Sequence, residues 1–221
     1  MLKSFTQAAA DYCAAAKNRT RQSVPRLLIL GILAGMFIAL AGTVASVGGA
    51  LAGKIASAAI FPAGLAMVIL AGSELFTGNC LFLLPLLRGD ITGGRTMGSW
   101  AVVYCGNLIG SIVIAFVVVR CGVLDSIAPA AIATAAAKAS LPFGAAFLRG
   151  VLCNLLVCLA VWMAFCAGSA GGKVISLYGP IFLFVLCGFE HYALQVRAGI
   201  GLGKVHRHGL ASTHTGDIFL T

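Results

Sequence analysis

Ala71-Gly72-Ser73-Glu74-Leu75-Phe76-Thr77-Gly78-Asn79 lies inside an apolar run from Ile55 to Leu87. That run is too long for one straight span, since about 20 apolar residues suffice to cross a bilayer. The quoted stretch divides it. It places two glycines, a carboxylate and two further polar side chains where lipid would otherwise lie. A charged carboxylate near the bilayer centre costs roughly 2.5 kcal/mol or more. Irregular backbone at that depth is tolerated only where it lines a cavity or is buried in protein. The reading is therefore a helix broken in mid-membrane.

A second break is expected at Gly188-Phe189-Glu190-His191. Glu74 and Glu190 are the chain's two glutamates, and each falls in an apolar span beside phenylalanine and glycine. Glu74 follows Pro25, and Glu190 follows Pro142, by a little under fifty residues. Paired interruptions at matching positions of two halves are the sign of an inverted-repeat transporter or channel. The positive ends of broken helices would attract anions. The plainer alternative is two kinked helices whose glutamates satisfy broken backbone. His191 is the one histidine in an apolar span; such a residue is often a satisfied core group. Its position after a glutamate at a break favours function, and its ordinary pKa near 6.5 suits proton exchange.

Around these breaks, spans are expected at Leu27–Leu51, Trp100–Val119, Phe143–Ala167 and from Val174 to the second break. An alanine-rich stretch, 128–139, precedes the fourth. Gly31 and Gly35, then Gly106 and Gly110, have the four-residue spacing that lets helix backbones approach in lipid. The composition agrees: 60% hydrophobic, 10% charged, mean hydropathy +1.03. Soluble domains run near 25% charged, and 221 residues cannot bury that much apolar surface in one soluble core.

The net charge of +9 does not indicate nucleic acid, because the cations form no face interleaved with aromatics. Lys3, Lys17, Arg19, Arg21 and Arg26 precede or open the first span, so the N-terminus is expected to be cytoplasmic. Arg88, Arg95 and Lys173 fall on the same side; Lys54, Arg120 and Lys138 fall opposite. The polar start over twenty residues long is unlike a signal peptide. The eight cysteines form no C-x-x-C pair and read as small packing residues. His206, His208 and His214 fit a polar tail better than a metal site. Gly199 to Lys204 lacks the spacing of a phosphate loop. No cofactor, metal or catalytic set is expected. The domain reading is an N-terminal segment 1–23, a transmembrane domain 24–192 and a divergent tail 193–221.

Four stretches carry a resemblance to the formate/nitrite transporter family. They are Ala71 to Asn79, Tyr104-Cys105-Gly106-Asn107-Leu108-Ile109-Gly110, Cys153-Asn154-Leu155-Leu156-Val157-Cys158-Leu159-Ala160-Val161-Trp162-Met163, and Gly188 to His191. The resemblance covers Pro25 to His191. It implies an all-α, aquaporin-like inverted-repeat bundle with two broken helices, assembled as a homopentamer with one pore per subunit. It implies passage of formate, nitrite, hydrosulfide or related anions, with formate or nitrite preferred here and protons as partners. It places Leu75, Phe76 and Thr77 in the loop between two half-helices, with Thr77 bonding the anion. Phe61, Leu65 and Phe184 match apolar constrictions, and His191 matches a central histidine. Lys138 matches a lysine at the extracytoplasmic mouth and Asn154 an asparagine near it, while Glu74 and Glu190 support the breaks. Arg149 is expected to snorkel or support the fold. The expected location is a bacterial cytoplasmic membrane.

After His191 the sequence departs from the family. Tyr192 to Thr221 holds no sixth apolar span, and a truncated or frame-disrupted C-terminal part is expected. Three other functions compete. A water channel would carry paired Asn-Pro-Ala segments, which are absent. A membrane-embedded enzyme would need more than Glu190-His191 as an acid–base pair. A nonconducting family member is favoured by the missing span alone.

Overall fold

The structure, a computed structural model, describes residues 4–129 and 140–188. Among the described residues the chain is helical, with four stretches long and apolar enough to cross a membrane. Lys138, Glu190, His191 and the tail from Tyr192 lie outside the described residues.

Helix α1, Phe5–Arg19, opens at Ser4, whose hydroxyl accepts the Gln7 N–H. The expected polar segment thus contains a helix. It buries Ala8, Tyr12, Cys13 and Ala16, one narrow stripe at helical spacing. The Tyr12 ring meets Trp162 and Phe165 edge-on, at 6.1 and 5.3 Å between centroids.

Helix α2, Val24–Ile60, runs on through Phe61 into α3, Pro62–Ala71. At 1.5 Å per residue, 48 residues would extend about 72 Å, against roughly 30 Å of hydrocarbon. Gly53 resolves the excess. Its φ of 82° and ψ of 179° leave the helix, and the chain doubles back there. Close approaches show the return. A Cβ on Gly49 would lie 3.1 Å from Ser57 Cβ, and one on Gly64 2.6 Å from Ala41 Cβ. The limb 24–52 and the limb 54–71 are thus antiparallel neighbours.

Beyond the break come α4, Phe76–Asn79, a 3-10 turn, Cys80–Phe82, and α5, Leu83–Leu87. Helix α6, Gly93–Arg120, begins seven residues before the expected third span. It lies parallel to the limb 24–52. Gly31 faces Val103 and Gly106, Gly35 faces Asn107, and Gly110 faces Ile32 and Met36. Both glycine pairs read from sequence meet here, and any Cβ would strike the partner's backbone.

Helices α7, Phe143–Cys166, and α8, Ala170–Cys187, form an antiparallel pair. Ser169 caps α8, accepting the Gly172 N–H at 3.1 Å. The main core lies between the limb 24–52, α3, α7 and α8, with Ile38, Leu65, Val157, Leu177 and Phe184 buried in it. Leu40, Ile112, Phe116, Leu148 and Leu155 stay exposed. In lipid or against another subunit such surface costs nothing; in water it would be a liability.

Candidate functional site

The break follows from local backbone chemistry. Gly72 takes the left-handed conformation, φ 68° and ψ 25°, which stops α3. The Ser73 N–H and hydroxyl both donate to Val68 O, at 3.1 and 3.2 Å. Glu74 N–H donates to Leu30 O across the hairpin at 3.2 Å. Leu75 is extended, and helix resumes at Phe76.

Asn107, on α6, holds this loop. Its Nδ2 donates to Gly31 O at 2.8 Å and to Glu74 O at 2.9 Å; its Oδ1 accepts the Phe76 N–H at 2.9 Å. The three groups it serves would otherwise lack helical partners in a region without water. Trp100 Nε1 donates to Asn79 O at 2.9 Å. Sequence reasoning assigned Asn107 no role. The available signal was an amide side chain between two close-packing glycines on an apolar helix.

The Glu74 carboxylate is 2% exposed. Asn79 Nδ2 donates to one oxygen at 2.9 Å, and Arg19 Nε lies 3.4 Å from the other. Arg19 entered the sequence reading as an orientation charge; the structure makes it the ionic link from α1 to the break. Glu74 therefore serves the loop's own architecture.

Four of the expected pore residues converge. Phe61 and Phe184 meet edge-on, centroids 5.5 Å apart. Leu65, Leu75 and Phe184 are buried in the same apolar core against Phe61. Phe76 is turned the other way, its ring against Trp100 and Tyr104 at 6.3 and 5.5 Å. Thr77 Oγ1 is buried with no hydrogen-bond partner among the described residues. Asn154 Nδ2 reaches Thr77 O at 3.5 Å, so this asparagine touches the break directly.

On the α1 side of this constriction lies a cavity of about 180 Å³. Its walls include Tyr12, Arg19, Leu65, Leu75, Asn79 and Lys173. Counting the Glu74 carboxylate behind Arg19, the surrounding charge is two cations and one anion, a net +1. The Tyr12 hydroxyl has no hydrogen-bond partner among the described residues. Burial pushes its phenol well above the ordinary tyrosine range, so the group stays a neutral donor. Chemically, the arrangement is a small electropositive chamber ending at a dry aromatic and leucine throat.

Comparison with known proteins bears on this geometry. The family model for formate/nitrite transporters matches residues 6–198. The chain is 36% identical to a probable formate transporter of Methanothermobacter thermautotrophicus, covering 92% of this chain and 85% of that protein. It is 34% identical to a formate channel of Bacillus thuringiensis, covering 78% and 71%. A nitrite transporter of Escherichia coli (strain K12) is 37% identical, over 60% of this chain and 50% of its own. Among solved structures, an ion channel of the same family superposes with a TM-score of 0.79 at 27% identity, covering 98% of this chain and 92% of that one. A pentameric formate channel with formate bound superposes at 0.69 with 30% identity, covering 87% and 80%. The family is one of transporters and channels, which removes the membrane-embedded enzyme from consideration. A broken, glycine-stopped second span, an apolar throat beside it and a family model matching most of the sequence lead to one statement: the chain belongs to the formate/nitrite transporter family.

Proposed function

We propose that this chain passes a small monovalent anion, formate or nitrite, across a bacterial cytoplasmic membrane, as a homopentamer with one pore per subunit and a cytoplasmic N-terminus. The observation that carries the reading is the electropositive chamber of Tyr12, Arg19 and Lys173 set against the dry throat of Phe61, Leu65, Leu75 and Phe184. The named relatives support the choice of anion.

The physical problem is desolvation. A bare anion loses many kcal/mol of hydration in an apolar constriction, whereas a neutral weak acid crosses cheaply. Cations at the two mouths raise the local anion concentration. Arg19 and Lys173 serve the α1 side; Lys138, near Asn154, serves the other. Glu74 and Glu190 support the two breaks. Within the pore the Thr77 hydroxyl donates to an anion oxygen. His191, as imidazolium, gives its proton to the anion and becomes neutral; the resulting acid moves through the throat. Water on the far side takes the proton, and His191 is reprotonated from solvent.

Uptake of formate, nitrite and hydrosulfide into proteoliposomes tests this directly. Formate or nitrite uptake should rise several-fold as the pH falls through the ordinary histidine range, near 6.5. His191→Phe should flatten that rise. Unchanged pH dependence in His191→Phe removes the proton relay, and vesicles that admit none of the three anions remove transport altogether.

A further inference from the structure

Two free thiols stand around the Thr77 carbonyl, and neither transport nor packing accounts for their arrangement. Cys158, on α7, donates from Sγ to Thr77 O at 3.5 Å and to Asn154 Oδ1 at 3.4 Å. Cys80, in the 3-10 turn, accepts from Asn154 Nδ2 at 3.4 Å and donates to Phe76 O at 3.5 Å. One amide side chain therefore links both sulfurs, one at each end. Both thiols are unbonded to other cysteines and only part-buried. A thiol is a weak donor and a weak acceptor, so these contacts hold little energy. Sulfur's strength is as a soft, polarisable ligand.

We propose that Cys80 and Cys158 form a two-sulfur site for a soft d10 cation beside the break, and that an ion held there fixes the Thr77 segment and arrests passage. The donor set selects the class. Hard cations want oxygen ligands, and a structural zinc wants four donors. Among the described residues no group of three or more His, Cys, Asp or Glu could hold a metal. Two sulfurs in an apolar wall suit an ion content with two ligands. Two thiolates also cancel a divalent charge, so the loaded site puts no net charge into the dry region.

With HgCl2, which is neutral and able to enter an apolar throat, the balance is simple. Two S–H and two Hg–Cl bonds break, two Hg–S bonds form, and two HCl leave. No oxidation state changes.

The arrest of passage rests on the transport reading above; the binding does not, and the test separates them. In detergent, native mass spectrometry of the HgCl2-treated chain should show one mercury held without chloride, with two protons lost. Cys80→Ser or Cys158→Ser should convert it to a chloride-bearing adduct, and the double variant should bind one mercury fewer. In proteoliposomes, HgCl2 should cut formate uptake at least tenfold, reversibly by dithiothreitol. Relative to its own untreated rate, the double variant should resist. A double variant that binds as much mercury as the parent overturns the site, whatever the uptake. A double variant blocked as fully as the parent overturns the arrest. Helical circular dichroism and elution volume establish that each variant is folded.

Discussion

Two apolar limbs of this molecule stop in the same way and are held differently. The limb 54–71 ends at Gly72, with φ 68° and ψ 25°. Helix α8 ends at Gly188, with φ 70° and ψ 34°. Each is 18 residues long, and each contains one proline, Pro62 or Pro180. Beyond Gly72 the chain is gripped by Asn107, Asn79, Trp100 and Arg19. At Gly188 the nearest side-chain atom is the Lys54 ammonium, 3.7 Å from where a Cβ would sit. A cation there suits the negative end of α8. The difference separates two jobs: glycine ends the helix, and polar side chains hold the irregular segment after it.

The most damaging test removes the grip. Asn107→Ala leaves Phe76 N–H, Glu74 O and Gly31 O without their bonds, and each buried orphan costs about 1–3 kcal/mol. At roughly 2–4 °C per kcal/mol for a chain this size, apparent melting in detergent should fall on the order of 10 °C or more. A shift of a degree or two would mean the break holds itself.

The stops come next. Gly72→Ala and Gly188→Ala each force an L-residue into the left-handed region, at about 1–2 kcal/mol. Neither Cβ would crowd backbone, so the costs are purely conformational. Equal losses of thermal stability support equivalent breaks. A silent Gly188→Ala would show that α8 can run on and that the two halves differ.

The smallest effect concerns the docking of α1. Undocked, the Tyr12 phenol ionises near pH 10; docked, burial keeps it protonated. The docked form then holds more protons, so docking weakens as pH rises above about 10. Protease cleavage of α1 should increase over that range, and Tyr12→Phe should abolish the increase.

Span positions and the first break were legible because hydropathy and one buried glutamate speak locally. Phe61, Leu65 and Phe184 were legible through family resemblance, and the structure brings them together with Leu75. Three features were not. Helix α1 docks through a stripe of two alanines, a tyrosine and a cysteine, too narrow to stand out in a polar stretch. Asn107 acts on residues 31 and 76 positions away in the chain, a relation no local pattern encodes. The direction of Phe76 depends on α6 supplying Trp100 and Tyr104 as ring partners. His191, Glu190 and Lys138 lie outside the described residues and stand as sequence-based proposals.

The backbone contact between the limb 24–52 and α6 carries a genetic consequence. Every single-base change in a glycine codon is silent, ends translation or adds at least a β-carbon. At Gly35, Gly106 and Gly110 that carbon would press on the opposing main chain rather than on a side chain able to step aside. The gene at these positions can therefore drift only in its third bases, and a saturation library screened for membrane assembly should recover glycine at all three.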